Sequence, residues 1–239
     1  MTFIKKKVTL LFLGLLLLNS CIVKSLFPFF TKDTVQFEKL FLGVWQDSKE
    51  DNNQWIISSV KDISAIEKAK KTNPDSAEDL EFYDNYKNGY YAAYQEEKEN
   101  RTSIFLVVPF KLKNQLFLDF TPLIDDKNMN SLVSYHIAPT HSLAKFDISN
   151  NNNVSIKWLS SEKVENLITS DKIRIKHEKL SPNNEHILTA PSDELQKFIT
   201  KFMVSGDKNK WETDVEFNLK RTQSKEAALE LMSNKFDFK

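Results

Sequence analysis

Apolar and polar positions alternate with a period of two over much of the chain, in short runs bounded by polar turns, which is the pattern of half-buried antiparallel strands. Leu40, Leu42 and Val44 alternate with Phe41, Gly43 and Trp45. Further strands are expected over residues 55–60, 90–95, 104–110, 115–121, 132–138, 143–148, 154–159, 173–177, 186–190 and 214–221. Links such as Lys113-Asn114 and the tract from Asn150 to Asn153 suit tight hairpins, because asparagine accepts the left-handed backbone that glycine usually supplies there. The predicted fold is mainly β, an antiparallel meander forming a barrel or a strongly curved sheet.

Helical patterns are fewer. Residues 62–71 and 76–86 are polar, charged and split by Asn73-Pro74, so 62–86 reads as a helical insertion between two strands. Ser161 to Thr169 fits a short helix. After Pro191, Ser192 is placed to cap a helix, and Asp193 and Glu194 meet its positive end. Leu195, Phe198, Ile199 and Phe202 then repeat at i, i+3, i+4 and i+7, one apolar stripe that should close onto the sheet. Residues 222–239 hold a second amphipathic stretch, with Ala228, Leu229, Met232 and Phe236 on one side. The β domain is expected over 37–221.

Composition narrows the chemistry. Only four glycines occur, which removes the glycine-rich loops that wrap phosphates. Lys and Arg balance Asp and Glu over 239 residues, and nothing in that balance points to nucleic acid or calls for a cofactor. The single cysteine, Cys21, leaves no disulfide framework.

That cysteine follows a distinctive leader. Lys5, Lys6 and Lys7 precede an apolar run from Val8 to Leu18, and Leu18-Asn19-Ser20-Cys21 comes next. A basic start and a short apolar stretch make a targeting segment. An uncleaved spanning helix needs about 20 apolar residues, and Asn19, Ser20 and Lys24 interrupt sooner. An ordinary secretory leader needs a small-x-small cleavage motif, which is not evident. Leu18, Ser20 and Cys21 resemble the lipobox of bacterial lipoproteins, with Asn19 departing from its usual small or apolar residue.

The resemblance implies export, thioether attachment of diacylglycerol to Cys21, removal of residues 1–20 as signal peptide, and acylation of the new amino terminus. Removal takes away three lysines and no acids, so a neutral chain becomes one of net charge near −3. The partner implied is a membrane, held by a lipidated tether over 21–36 in which Leu26-Phe27-Pro28-Phe29-Phe30 either meets headgroups or packs on the domain. Ile22-Val23-Lys24-Ser25 resembles no acidic export cluster, so the expected location is the outer membrane facing the periplasm.

A weaker resemblance covers the rest. Gly43-Val44-Trp45 on the first strand, a meander and a late helix resemble the lipocalin pattern, whose Gly-x-Trp packs its indole across the barrel floor. The family's Thr-Asp signature is not identifiable. The lysines and Arg221 of the closing segment are a loose counterpart to its late basic residue. The likeness implies an apolar small ligand in a cavity, or alternatively a role in binding another envelope protein. Tyr90, Tyr91 and Tyr94, with Trp45, Trp55 and Trp158, either line such a cavity or are simple core, the commoner place of buried aromatic residues.

The densest polar cluster is Tyr135-His136 with Pro139-Thr140-His141-Ser142, near Asp119 and Asp147 on neighbouring strands. His136, His141 and Asp119 form the alternative, a metal-dependent hydrolase, if their side chains converge. Ser142, His141 and Asp119 are the residue types of a hydrolytic triad, without the G-x-S-x-G elbow. Alternation instead puts Asp119 on a solvated outer face. Lys172, Arg174 and Lys176 line one face of the expected strand 173–177 and suit either lipid headgroups or a charged sheet edge. No catalytic fingerprint emerges, and the expected role is non-catalytic binding.

Overall fold

The computed structural model of the protein describes residues 22–49, 53–71, 73–123, 132, 136–150, 152–180 and 185–235. The leader and Cys21 lie outside the described residues. In chain order the strands are β1 (Lys24–Ser25), β2 (Gly43–Asp47), β3 (Asn53–Ser59), β4 (Tyr90–Glu96), β5 (Arg101–Leu112), β6 (Gln115–Leu123), β7 (His141–Asn150), β8 (Asn153–Trp158), β9 (His177–Leu180), β10 (Glu185–Leu188) and β11 (Glu216–Gln223). The α-helices are α1 (Val60–Lys70), α2 (Ala77–Tyr86), α3 (Ser161–Thr169), α4 (Ser192–Val204) and α5 (Lys225–Lys235), and a 3-10 turn spans Lys39–Phe41.

Eight strands close a barrel. β2 to β8 pair in sequence order, each antiparallel to the next, with β6 meeting β7 as well as β5. β11 then joins β8 to β2 and completes the ring. The expected meander is therefore a closed antiparallel barrel. Closure removes the free edges at which an open sheet pairs with other chains.

Both faces of the barrel wall are covered, which accounts for runs such as Phe105 to Phe110 that are apolar throughout rather than alternating. Inside lie Trp45, Trp55, Ile57, Tyr90, Ala92, Val107, Leu118, Phe120, Phe146 and Trp158, all buried. Outside, Val44, Ile56, Tyr91, Ala93 and Leu106 are covered by Val60 and Ile63 of α1 and Ala228 and Met232 of α5. On another outer face Val108, Phe110, Phe117 and Leu143 meet Val164 of α3 and the α4 stripe Leu195, Phe198, Ile199 and Phe202. The insertion thus divides: α1 belongs to an outer core, while α2 buries no residue fully.

The segment expected as a tether is built into that second outer core. Ile22 bridges Ser160, and the Val23 amide donates to the Leu159 carbonyl at 2.9 Å. β1 lies between β7, antiparallel, and β10, parallel. Further on, Phe29 and Phe30 are buried, while Leu26 and Phe27 stay exposed. Val35 bridges Phe110 before the chain reaches the 3-10 turn. The alternation pattern of residues 37–221 contains no sign that fifteen earlier residues would finish the core, because a two-residue strand is too short to show a period.

Other boundaries also shift. Where a strand was expected over 132–138, Leu132 is helical, His136 sits in a turn and residues 137–140 are irregular, while 133–135 lie outside the described residues. This stretch links β6 to β7, which already pair with each other, so no barrel edge is left for it. Residues 173–176 are likewise not a strand, which removes the common face proposed for Lys172, Arg174 and Lys176, and Arg174 turns back to Asp171 at 3.5 Å. The N-cap of α4 is Pro191 rather than Ser192, which starts the helix itself.

Candidate functional site

Strand register carries Trp45, Trp55, Tyr90, Tyr94 and Trp158 into the barrel and turns Tyr91 to its outer face. Trp45 lies opposite Trp55, and Trp55 opposite Tyr94, across β2, β3 and β4. There Trp45, Trp55, Tyr90 and Trp158 are at most 5% exposed and pack against further aromatic side chains. Trp55 has ring centroids of Tyr94 at 4.8 Å, Phe217 at 5.4 Å and Phe120 at 6.0 Å, and it stacks with Trp158 at 6.3 Å. Phe120 lies 4.6 Å from Trp158. At the other end Phe41 touches Phe146 at 4.7 Å and meets Tyr90 edge-on at 5.3 Å. Aromatic pairs at these separations add about 0.5–1.5 kcal/mol each beyond burial.

Polar atoms in this interior are tied down with one exception. Trp45 Nε1 donates to the Phe41 carbonyl at 2.8 Å, and Trp158 Nε1 donates to Ser142 Oγ at 3.2 Å. The Tyr90 hydroxyl donates to the Glu38 carbonyl and accepts from the Glu38 amide, both at 2.8 Å. Burial pushes this hydroxyl far above the usual phenol range. Trp55 Nε1 is buried without a hydrogen-bond partner, although its residue is only 2% exposed.

The floor of the barrel depends on a late arginine. Arg221 of β11 places its guanidinium carbon 4.4 Å from the Trp45 ring centroid. Its two terminal nitrogens donate to the carbonyls of Leu42 and Leu40, the orphan acceptors at the end of the 3-10 turn. Burial lowers its pKa from the ordinary value. Gly43 permits the approach: its φ is +136°, and a Cβ there would stand 2.8 Å from Arg221 Nη1 and 2.9 Å from the Gln223 carbonyl.

Of the polar cluster, the fold brings together one pair. Asp119 Oδ1 lies 2.7 Å from His141 Nδ1, and Oδ2 accepts the Phe29 amide at 2.7 Å. Thr121 Oγ1 is 3.0 Å from the same imidazole nitrogen. Asp119 does face outward, but it is 1% exposed, because the segment around Phe29 lies over it. The carboxylate holds that segment down.

Of the remaining members, Tyr135 lies outside the described residues and the others are elsewhere. Ser142 turns into the barrel toward Trp158, so it does not join His141 and Asp119 in a triad. His136 is exposed in its turn, and among the described residues no three His, Cys, Asp or Glu side chains are arranged to hold a metal ion. Asp147 pairs with Lys145 at 2.6 Å and accepts from Gln115 at 3.1 Å.

Two clefts lie outside the barrel. One, of about 220 Å³, is bordered by Ser58, Ser59, Asp62, Lys225, Glu226 and Leu229, where α1 and α5 begin. The other, of about 460 Å³, is a polar groove beside Gln54, Gln95 and Arg101. Among the described residues no helix is long and apolar enough to cross a membrane. Compared with family models, curated proteins and solved structures, the chain matches none.

Proposed function

We propose that this chain is a lipid-anchored protein of the bacterial cell envelope, whose lipocalin-like barrel serves as a filled, rigid scaffold that binds another envelope protein on its outer surface and performs no catalysis. The observation that carries the scaffold reading is the packed interior: Trp55, Phe120, Trp158, Phe105 and Phe217 contact one another where a hollow barrel would hold its ligand. Gly43, Trp45 and Arg221 support the lipocalin likeness, since the glycine, the indole and a late basic residue form one assembly at the barrel floor.

The anchor rests on the leader and lipobox ending at Cys21. Two or more acyl chains hold a protein on a bilayer stably, at about 0.8 kcal/mol per buried methylene. The residues after Cys21 lack an acidic cluster, which supports a periplasm-facing outer-membrane location.

Labelled palmitate distinguishes the outcomes for the anchor: wild type incorporates it and Cys21→Ser does not, and continued labelling of that variant removes the lipoprotein reading. An apolar fluorescent probe titrated into the protein tests the scaffold. No saturable binding is expected; stoichiometric binding displaced by fatty acid would restore the small-ligand reading and assign the interior to it.

A further inference from the structure

Ile22 is already part of the folded domain. Ile22 bridges Ser160, Val23 is 3% exposed with its amide bonded to Leu159, and Ser25 is completely buried between β7 and β10. If Cys21 carries acyl chains, a single peptide unit, about 3.8 Å, separates the lipid attachment from ordered structure. A flexible linker of fifteen residues would let a domain stand well away from a bilayer and turn freely. Here that slack does not exist.

We infer that the domain lies directly on the bilayer in one orientation, with the corner formed by the end of β8, the start of α3 and the paired residues Leu180 and Glu185 of β9 and β10 against lipid. This rests on the reading of Cys21 as acylated. Ser160, the partner of Ile22, immediately precedes α3. Across β1, Lys24 Nζ reaches Glu185 at 2.8 Å, and Glu185 lies opposite Leu180 on β9. Two strand spacings put Leu180 about 10 Å from β1, whose amino-terminal end leads back to Ile22. Leu180 is 44% exposed, an apolar side chain on an otherwise polar strand. The occupant of that face is therefore a lipid surface, brought there by the length of the attachment. At the opposite end of β8, Asn152 is eight residues from Ser160, roughly 26 Å along an extended strand, and faces away.

The test uses the acylated protein in phosphatidylethanolamine and phosphatidylglycerol vesicles. Because the thioether consumes Cys21, the only native cysteine, Leu180→Cys or Asn152→Cys supplies a single free thiol for a fluorescent label. Nitroxide lipids should quench the label at 180 at least threefold more than at 152. Lys179→Cys, on an exposed neighbour, replaces Leu180→Cys if the latter misfolds. Equal quenching at both ends, with acylation confirmed by mass, overturns the orientation and leaves the anchor standing. A ten-residue Gly-Ser insertion directly after Cys21 should reduce quenching at 180 to the level at 152; quenching that persists overturns the short attachment as its cause. A mass without acyl chains removes the anchor reading and the orientation with it.

Discussion

The guanidinium of Arg221 lies 4.4 Å from the centre of the Trp45 indole, joining the last barrel strand to the first. The same group satisfies two carbonyls of the 3-10 turn, so one side chain seals the ring of strands and its floor together. Arg221→Met keeps the stem and loses both functions. With charge-assisted hydrogen bonds worth about 1.5–3 kcal/mol and a desolvated cation–π contact about 2 kcal/mol, a loss of roughly 3 kcal/mol is expected in urea unfolding. Arg221→Lys should recover only part of it, since an ammonium lacks the fork that spans two acceptors.

Gly43→Ala should destabilise the protein by about 1–3 kcal/mol, the range for a side chain forced into a positive-φ conformation. The added methyl also collides with Arg221 Nη1 and a fixed backbone carbonyl. Gly206→Ala, where no atom lies within 4 Å, is the control and should be nearly neutral in thermal melts.

A filled barrel can be emptied. Phe120→Ala removes a ring in contact with Trp55, Phe105 and Trp158 and should cost about 3–5 kcal/mol. The variant should gain saturable binding of a benzene-sized probe that wild type lacks, read by tryptophan fluorescence. Trp55→Phe should cost less than Trp158→Phe, because the first removes an unpartnered N–H and the second breaks a bond to Ser142.

Asp119→Ala leaves the Phe29 amide and His141 without their acceptor and should loosen the N-terminal segment before it unfolds the barrel. Hydrogen exchange at Phe29 and Val23 should rise while the amides of β3 and β4 stay protected. Uniform loss of protection would mean that the segment and barrel unfold as one unit.

Glu216 sits between Lys49 at 2.8 Å and Lys157 at 3.1 Å, and its hydrogen bonds to them hold its pKa below the ordinary value. A depressed carboxylate pKa stabilises the fold above its unfolded value of 4.5 and loses that contribution as pH falls through the folded value. Exposure of both lysines limits the effect to at most about 1 kcal/mol. Glu216→Gln should therefore be less stable than wild type at neutral pH, with the gap closing below pH 4.5, as measured by urea midpoints.

Strand alternation made the barrel legible in the sequence, because each strand presents its inner residues at every second position whatever packs outside. The α4 stripe was legible for the same local reason. What alternation cannot tell is what covers an outward residue. Asp119 is outward as its pattern implies, yet buried, since its cover is contributed by Phe29, ninety residues earlier. The aromatic set was identifiable too, while its mutual contacts were not: five rings can surround a void or fill it, and the contributions of Phe120, Phe105 and Phe217 decide between them.

β1 also orders events in time. Its parallel partner β10 lies more than 160 residues later, and Lys24 finds Glu185 across a separation of 161. A chain made from its amino terminus can pair these residues with β7 and Ser160 first, and with β10 only after residues 185–188 have emerged. Until then one side of β1 is unpaired and stays open to any enzyme that acts beside it. Emergence of β10 closes that side into the sheet, so a late part of the protein decides when an early part ceases to be accessible.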